Sequence, residues 1–163
     1  MDAVMNTKVE GLRKRTKSDM IASFAMALLA VYIVVVELYK YGNAQESSFV
    51  HLTNGIYAIS FGIIEIILGL ILLEVHKLGK PFSKRIINGL RALAVWVMIT
   101  GIMPDMLAPI IDQAGTGYIE LPGLDVLLSA HNLVIVALGV VIGVISEIFV
   151  YGYELQEDND LIA

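Results

Sequence analysis

Four apolar runs, each close to the length of a bilayer crossing, constrain this chain more than any other feature. They fall at roughly 20–38, 54–75, 86–103 and 130–153. A helix needs about 20 apolar residues to cross ~30 Å of hydrocarbon at ~1.5 Å per residue. With 57% hydrophobic residues in a length of 163, a soluble domain could not bury all that surface. The spacing predicts an all-α fold, an integral membrane four-helix antiparallel bundle with short inner connections. Residues 1–163 read as a single membrane domain ending in a cytoplasmic tail over 154–163. The chain has no cysteine, so disulfide and thiolate chemistry are excluded.

The formal charge of -5 matters less than its segregation. Lys8, Arg13, Lys14, Arg15 and Lys17 precede the first run, and Lys77, Lys80, Lys84 and Arg85 lie between the second and third. The first loop, 41–53, is polar and is preceded only by Lys40. The longest connection, 104–129, holds Asp105, Asp112, Glu120 and Asp125 and no lysine or arginine. Basic residues stay on the cytoplasmic side. Both termini and the 76–85 loop are therefore expected in the cytoplasm of a multi-pass plasma-membrane protein. A cleaved signal peptide competes for the first run. The run is long for a signal, and Glu37, Tyr39 and Lys40 end it like a membrane interface. Gly79 and Pro81 break the chain between the second and third runs, and Pro104 and Pro109 close the third. Met106, Leu107, Ile110 and Ile111 suggest that part of 104–129 lies on the membrane surface or folds over the helix ends.

Ionisable residues inside an apolar run each need a reason, since each costs about 2.5–3.5 kcal/mol near a helix centre. Arg91 and Glu147 sit at similar depths in neighbouring runs and are expected to form an intramembrane ion pair that fixes helix register. Glu65 lies mid-run without a basic partner at its depth. It reads either as a hydrogen-bonded structural residue, with Ser60, Tyr57 or Thr100 as partners, or as a proton or ion site. Glu37, Asp105, His51 and His131 come from different segments without ligand spacing, so no metal site is expected. No HExxH, phosphate loop or Ser-His-Asp arrangement is present. The chain does not read as an enzyme, and no catalytic residue or cofactor is expected.

Gly139 and Gly143 form a small-xxx-small pair that lets helices approach closely, either inside the bundle or between copies in a homo-oligomer. Ser23 and Ala27 could do the same, and Gly62 and Gly69 mark another close crossing. Around Tyr151, Gly152 and Tyr153 the last run is expected to turn a corner into the acidic tail.

Two stretches, LGKPFSKRIINGLRAL at 78–93 and EIFVYGYELQEDNDLIA at 147–163, carry a family likeness. Together they resemble the bacterial four-helix membrane proteins grouped as domain-of-unknown-function family 2975. Gly79, Pro81, Phe82, Leu90 and Arg91 match its Gly-x-Pro-Phe loop and Leu-Arg pair. Phe149, Gly152, Glu154, Leu155, Gln156, Glu157, Asp160 and Leu161 match its ending. The chain departs from it at Val150, where arginine is common, and at Ile162 and Ala163, where Thr-Val is usual. The resemblance implies no enzyme activity. It implies genomic company, because members are often encoded beside a small helix-turn-helix regulator.

The expected function is therefore regulatory. The membrane protein would bind or sequester a small cytoplasmic helix-turn-helix transcription regulator, without touching nucleic acid itself. The expected partner-binding residues are Glu154, Leu155, Gln156, Glu157, Asp158, Asp160 and Leu161. An acidic peptide with apolar handles suits a face made basic for phosphate. A solvated acidic tail is the plainer reading of the same residues. A small transporter or channel using Glu65, or an accessory subunit of a membrane complex docking through Gly139 and Gly143, are the alternatives.

Overall fold

The computed structural model describes residues 2–43, 48–79, 82–114 and 118–162, with side chains described between 10 and 158, Ser48 excepted. Lys80, Pro81 and Ala163 lie outside the described residues, as do the side chains of Lys8, Asp160, Leu161 and Ile162. Six helices follow in order: α1 (Asp2–Asn43), α2 (Ser48–Leu78), α3 (Lys84–Thr100), α4 (Met103–Asp112), α5 (Leu124–Leu127) and α6 (Ala130–Ile162). No strand occurs among the described residues.

Three helices are long and apolar enough to cross a membrane, and a fourth crossing results if α3 and α4 count as one bent span. The helices outrun the apolar runs that announced them. α1 has 42 residues, about 63 Å at ~1.5 Å per residue, and its basic first half is helical too. Arg, Lys, Leu and Met hold a helix well in water, and hydropathy marks the solvent rather than the helix end. α6 has 33 residues and continues through Tyr151, Gly152 and Tyr153 without a break. The expected corner is absent, because Gly152 serves a close approach instead of a turn (below).

The ends of α2 and α3 are built by local chemistry. Gly79 adopts φ 66°, a left-handed conformation that suits glycine after a helix, and its N–H donates to Val75 O at 2.9 Å. Ser83 then caps α3, its Oγ accepting from Ile86 N at 3.2 Å. At the far end, α3 and α4 meet at a 51° bend. Pro104 occupies the first turn of α4, where its missing N–H costs nothing. The stretch expected to drape over the helix ends is thus partly a helix, and α4 packs on α2.

α1 packs on α2, α2 on α3, and α3 on α6, while α1 and α6 make no substantial contact. Contacts step in opposite senses along each pair. Arg13, Ser23 and Glu37 of α1 meet His76, Glu65 and His51 of α2. Trp96 Nε1 of α3 donates to Ser60 O of α2 at 3.2 Å. The main core gathers Ile71, Val75, Ile86, Leu93 and Val97, with Leu12, Ile142 and Phe149 against it. Leu52, Ile56 and Ala108 form a second cluster where α4 covers α2.

Outward faces are as apolar as the core. Along α6, Val134, Leu138, Val141, Ile145 and Ile148 form an exposed stripe, with Val134 68% and Ile148 60% accessible. Leu28, Val31, Tyr32 and Val35 do the same on α1. A contiguous apolar surface of this extent marks contact with lipid or protein.

α3 and α6 approach most closely through glycine. A Cβ at Gly101 would lie 2.9 Å from Asn132 O, and one at Gly139 would lie 2.9 Å from both Ala94 O and Met98 N. Gly143 is different, with only Ala94 Cβ at 3.8 Å, an ordinary contact. Gly69 faces the Phe24 ring and Gly62 faces Ala30, so small residues also bring α2 onto α1. Gly139→Ala should destabilise the protein by about 1–3 kcal/mol through overpacking, whereas Gly143→Ala should stay within about 0.5 kcal/mol. Unfolding in mixed detergent micelles, followed by helical circular dichroism, would measure both.

Candidate functional site

Apart from the Ser23–Glu65 and Trp96–Ser60 contacts, the polar and charged contacts between helices collect toward the two ends of the helices. One end joins the start of α3, the last turns of α6 and the α2–α3 connection. Here the two stretches 78–93 and 147–163 meet in space. Phe82 stacks edge-on against Phe149 with ring centroids 5.1 Å apart. Its ring also fills the place of a side chain at residue 152, where a Cβ would come within 2.6 Å of it. Gly152 therefore lets Phe82 lie on α6. One helical turn further up, Arg91 Nη2 and Nε donate to Glu147 Oε1 at 2.9 and 3.2 Å. Both side chains of this pair are about half accessible, 50% and 59%. Lys84 Nζ stands 5.7 Å from the Tyr153 ring centroid, a weak cation–π contact at this exposure.

The final turns of α6 divide into two faces. Glu154 and Glu157 turn toward α3 and line a cleft of about 450 Å³ with Lys84, Asn88, Arg91 and Tyr153. Tyr151 and Leu155 are 69% and 65% accessible, and with exposed Asp158 they form an outward row at helical spacing. Gln156 is partly covered. The helical backbone carries Asp160 and Leu161 onward. The same end of the molecule holds Arg13, whose carbonyl O lies 3.0 Å from His76 Nδ1, and the Arg85–Glu74 pair at 3.5 Å.

The opposite end is tied by Asn132. This side chain is only 1% accessible. Its Nδ2 donates to Asp105 Oδ2 at 2.7 Å and to Val126 O at 3.1 Å, and its Oδ1 accepts from Tyr57 OH at 3.1 Å. One amide thereby joins α2, α4, the 113–129 connection and α6. Sequence reasoning passed over it. The available signal was a lone amide at the head of an apolar run, a position where an unpaired polar group is costly. Near it, His51 Nδ1 and Lys40 Nζ lie 2.8 and 3.1 Å from the Glu37 carboxylate, and Tyr41 OH donates to Asp112 Oδ1 at 3.2 Å. His131 instead stacks edge-on against Tyr57 at 5.7 Å. Among the described residues no three His, Asp or Glu side chains come together as metal ligands would.

Glu65 meets a partner that sequence reasoning did not name. The Ser23 hydroxyl lies 2.6 Å from Glu65 Oε2 and 2.9 Å from Glu65 O, and Ser23 is 4% accessible. Tyr57 and Thr100 are engaged elsewhere, and Ser60 makes no hydrogen bond to Glu65. The Ser60 Oγ is buried and unpartnered among the described residues, and Thr100 Oγ1 donates to Trp96 O at 2.9 Å.

Asn132→Ala should cost about 1–3 kcal/mol by stranding Asp105 and the Val126 carbonyl. It should also open the 118–123 segment to protease before the rest of the chain, which timed proteolysis read by mass spectrometry would show. Comparison with known proteins finds no matching family, no matching curated protein and no matching solved structure.

Proposed function

We propose that this chain is a multi-pass membrane protein with both termini in the cytoplasm, whose C-terminal helical extension binds a small helix-turn-helix transcription regulator and holds it at the membrane. In this reading α1, α2, α6 and the bent α3–α4 pair are the four spans of an antiparallel bundle. The opposed stepping of contacts along each helix pair supports the antiparallel arrangement. Exposed apolar stripes on α1 and α6 support a lipid surround, because that much apolar surface is costly to leave in water. The end bearing Arg13, Lys77, Lys84 and Arg85 then faces the cytoplasm by the charge rule.

The observation that carries the regulatory reading is the shape of the tail. α6 is about 50 Å long at ~1.5 Å per residue, against ~30 Å of hydrocarbon, so its last turns stand beyond the bilayer as a helix. That helix presents Tyr151, Leu155 and Asp158 on a free face, beside Glu154 and Glu157. Acidic charge flanking an apolar anchor complements a basic DNA-reading face, and a partner held there would be kept from phosphate. The resemblance to a family encoded beside such regulators points the same way. Glu65 fits a register contact between α1 and α2 better than an ion path, because Oε2 and its own carbonyl already bond Ser23 of α1.

The test begins with the neighbouring reading frames: a small helix-turn-helix regulator encoded there should co-purify with the chain. Removing 154–163, or the single change Leu155→Asp, should lower recovery of the regulator about tenfold or more, as loss of a central anchor does. It should also release regulation of the target promoter in a reporter assay. Equal recovery and unchanged reporter output with the truncated chain would refute the assignment.

A further inference from the structure

The seam between α3 and α6 changes character along its length. At the Lys84 end lies the charged cleft of about 450 Å³, with Lys84 and Arg91 from α3 and Glu154 and Glu157 from α6. Arg91 also opens onto a second, apolar groove of about 550 Å³ on the same seam, lined by Val95, Met98, Gly139, Val140 and Val144. Both spaces fall in the range of about 300–1,000 Å³ that small-molecule sites occupy. Reading along α6, Glu157, Glu154 and Tyr153 come first, then Glu147, then Val144 and Val140. Along α3 the order is Lys84, Asn88, Arg91, then Val95 and Met98. Both helices therefore run from charged to apolar in the same direction.

The charges in the cleft are of both signs and are only partly used. Among the described residues, the side chains of Glu154 and Glu157 join no ion pair or hydrogen bond. Lys84 has the Tyr153 ring alone. Arg91 gives two of its five N–H donors to Glu147. An anionic headgroup would meet Lys84 and Arg91 but be repelled by two free carboxylates. A cation alone would leave Lys84 without an anionic partner and the remaining N–H donors of Arg91 unused. A group carrying both a phosphate and a primary ammonium satisfies both sides, and an acyl chain on the same molecule fits the groove that follows.

We propose that the α3–α6 seam binds an amine-bearing zwitterionic phospholipid of the phosphatidylethanolamine type. Its phosphate lies against Lys84 and Arg91, its ammonium donates to Glu154 and Glu157, and one acyl chain lies along Val95, Met98, Gly139 and Val144. The site rests on the membrane reading above and shares Glu154 and Glu157 with the proposed regulator surface, but its lipid readout needs no regulator present. Choline in place of ethanolamine keeps the charges but removes every N–H donor, so phosphatidylcholine binds less well. Phosphatidylglycerol lacks the ammonium altogether.

The experiment has two steps on the full-length chain. Flotation with vesicles of phosphatidylcholine alone first reads membrane insertion. Native mass spectrometry of the detergent-purified chain then reads lipid retained from equal mixtures of phosphatidylethanolamine, phosphatidylcholine and phosphatidylglycerol with identical acyl chains. Phosphatidylethanolamine should be retained roughly three- to fivefold over the other two, the scale expected of accessible charge pairs. The double variant Glu154→Gln/Glu157→Gln alters exposed helical positions and should keep wild-type circular dichroism. It should lose that preference and gain phosphatidylglycerol. A chain that floats but retains the three lipids equally, or a variant that keeps the preference, would overturn the lipid site and leave the membrane reading standing. A chain that does not float would overturn both.

Discussion

The contact between α3 and α6 is the constraint on which the rest of the arrangement hangs. Two glycines, Gly101 and Gly139, bring the helix backbones together at places where any side chain would strike a carbonyl or a main-chain N–H. Close backbone approach maximises van der Waals contact, the chief source of helix association where lipid replaces water. The seam is then pinned at both ends. Asn132 ties one end to α2 and α4, and Phe82 on Gly152 with Arg91 on Glu147 ties the other. With those points fixed, α2 sits against α3 through Ile71 and Trp96, and α1 follows α2 through Ser23 and Ala30.

The same seam separates the two candidate roles of the C-terminal helix. Residues on its α3 side, Glu154 and Glu157, line the charged cleft, while Tyr151, Leu155 and Asp158 look outward. A helix holds the two faces in a fixed relation, with Glu154 and Glu157 at their border, which an irregular tail could not do. Its rigidity also matters energetically. A partner docking on a preformed helix does not bear the ordering cost that a disordered segment would impose. The packed part of α6 and its candidate binding surface are therefore one continuous element.

Charged residues in the apolar segments are each answered by a neighbour. Arg91 and Glu147 answer each other, half accessible at the seam. Glu65 is answered by Ser23, a residue from the preceding helix that spacing alone could not single out among many serines and threonines. The difference is instructive. Opposite charges announce a pair through sequence, because few residues can neutralise an arginine. A carboxyl group that takes a hydroxyl partner has many candidates at once, and only packing selects one.

By itself the sequence determined the all-helical character, the positions of the apolar segments and the separation of basic from acidic connections. These are properties of composition and local period, which solvent transfer and backbone hydrogen bonding dictate wherever the chain ends up. The tertiary structure decided where the helices stop, because a helix continues as long as its backbone bonds are made and does not end where hydropathy changes. It also decided that Gly152 receives Phe82 instead of turning the chain, and that Gly139 and not Gly143 carries the tight crossing. Asn132, and not a charged residue, gathers the far end. Each of these depends on which surfaces come within a few ångströms of each other, a long-range fact that no local pattern encodes.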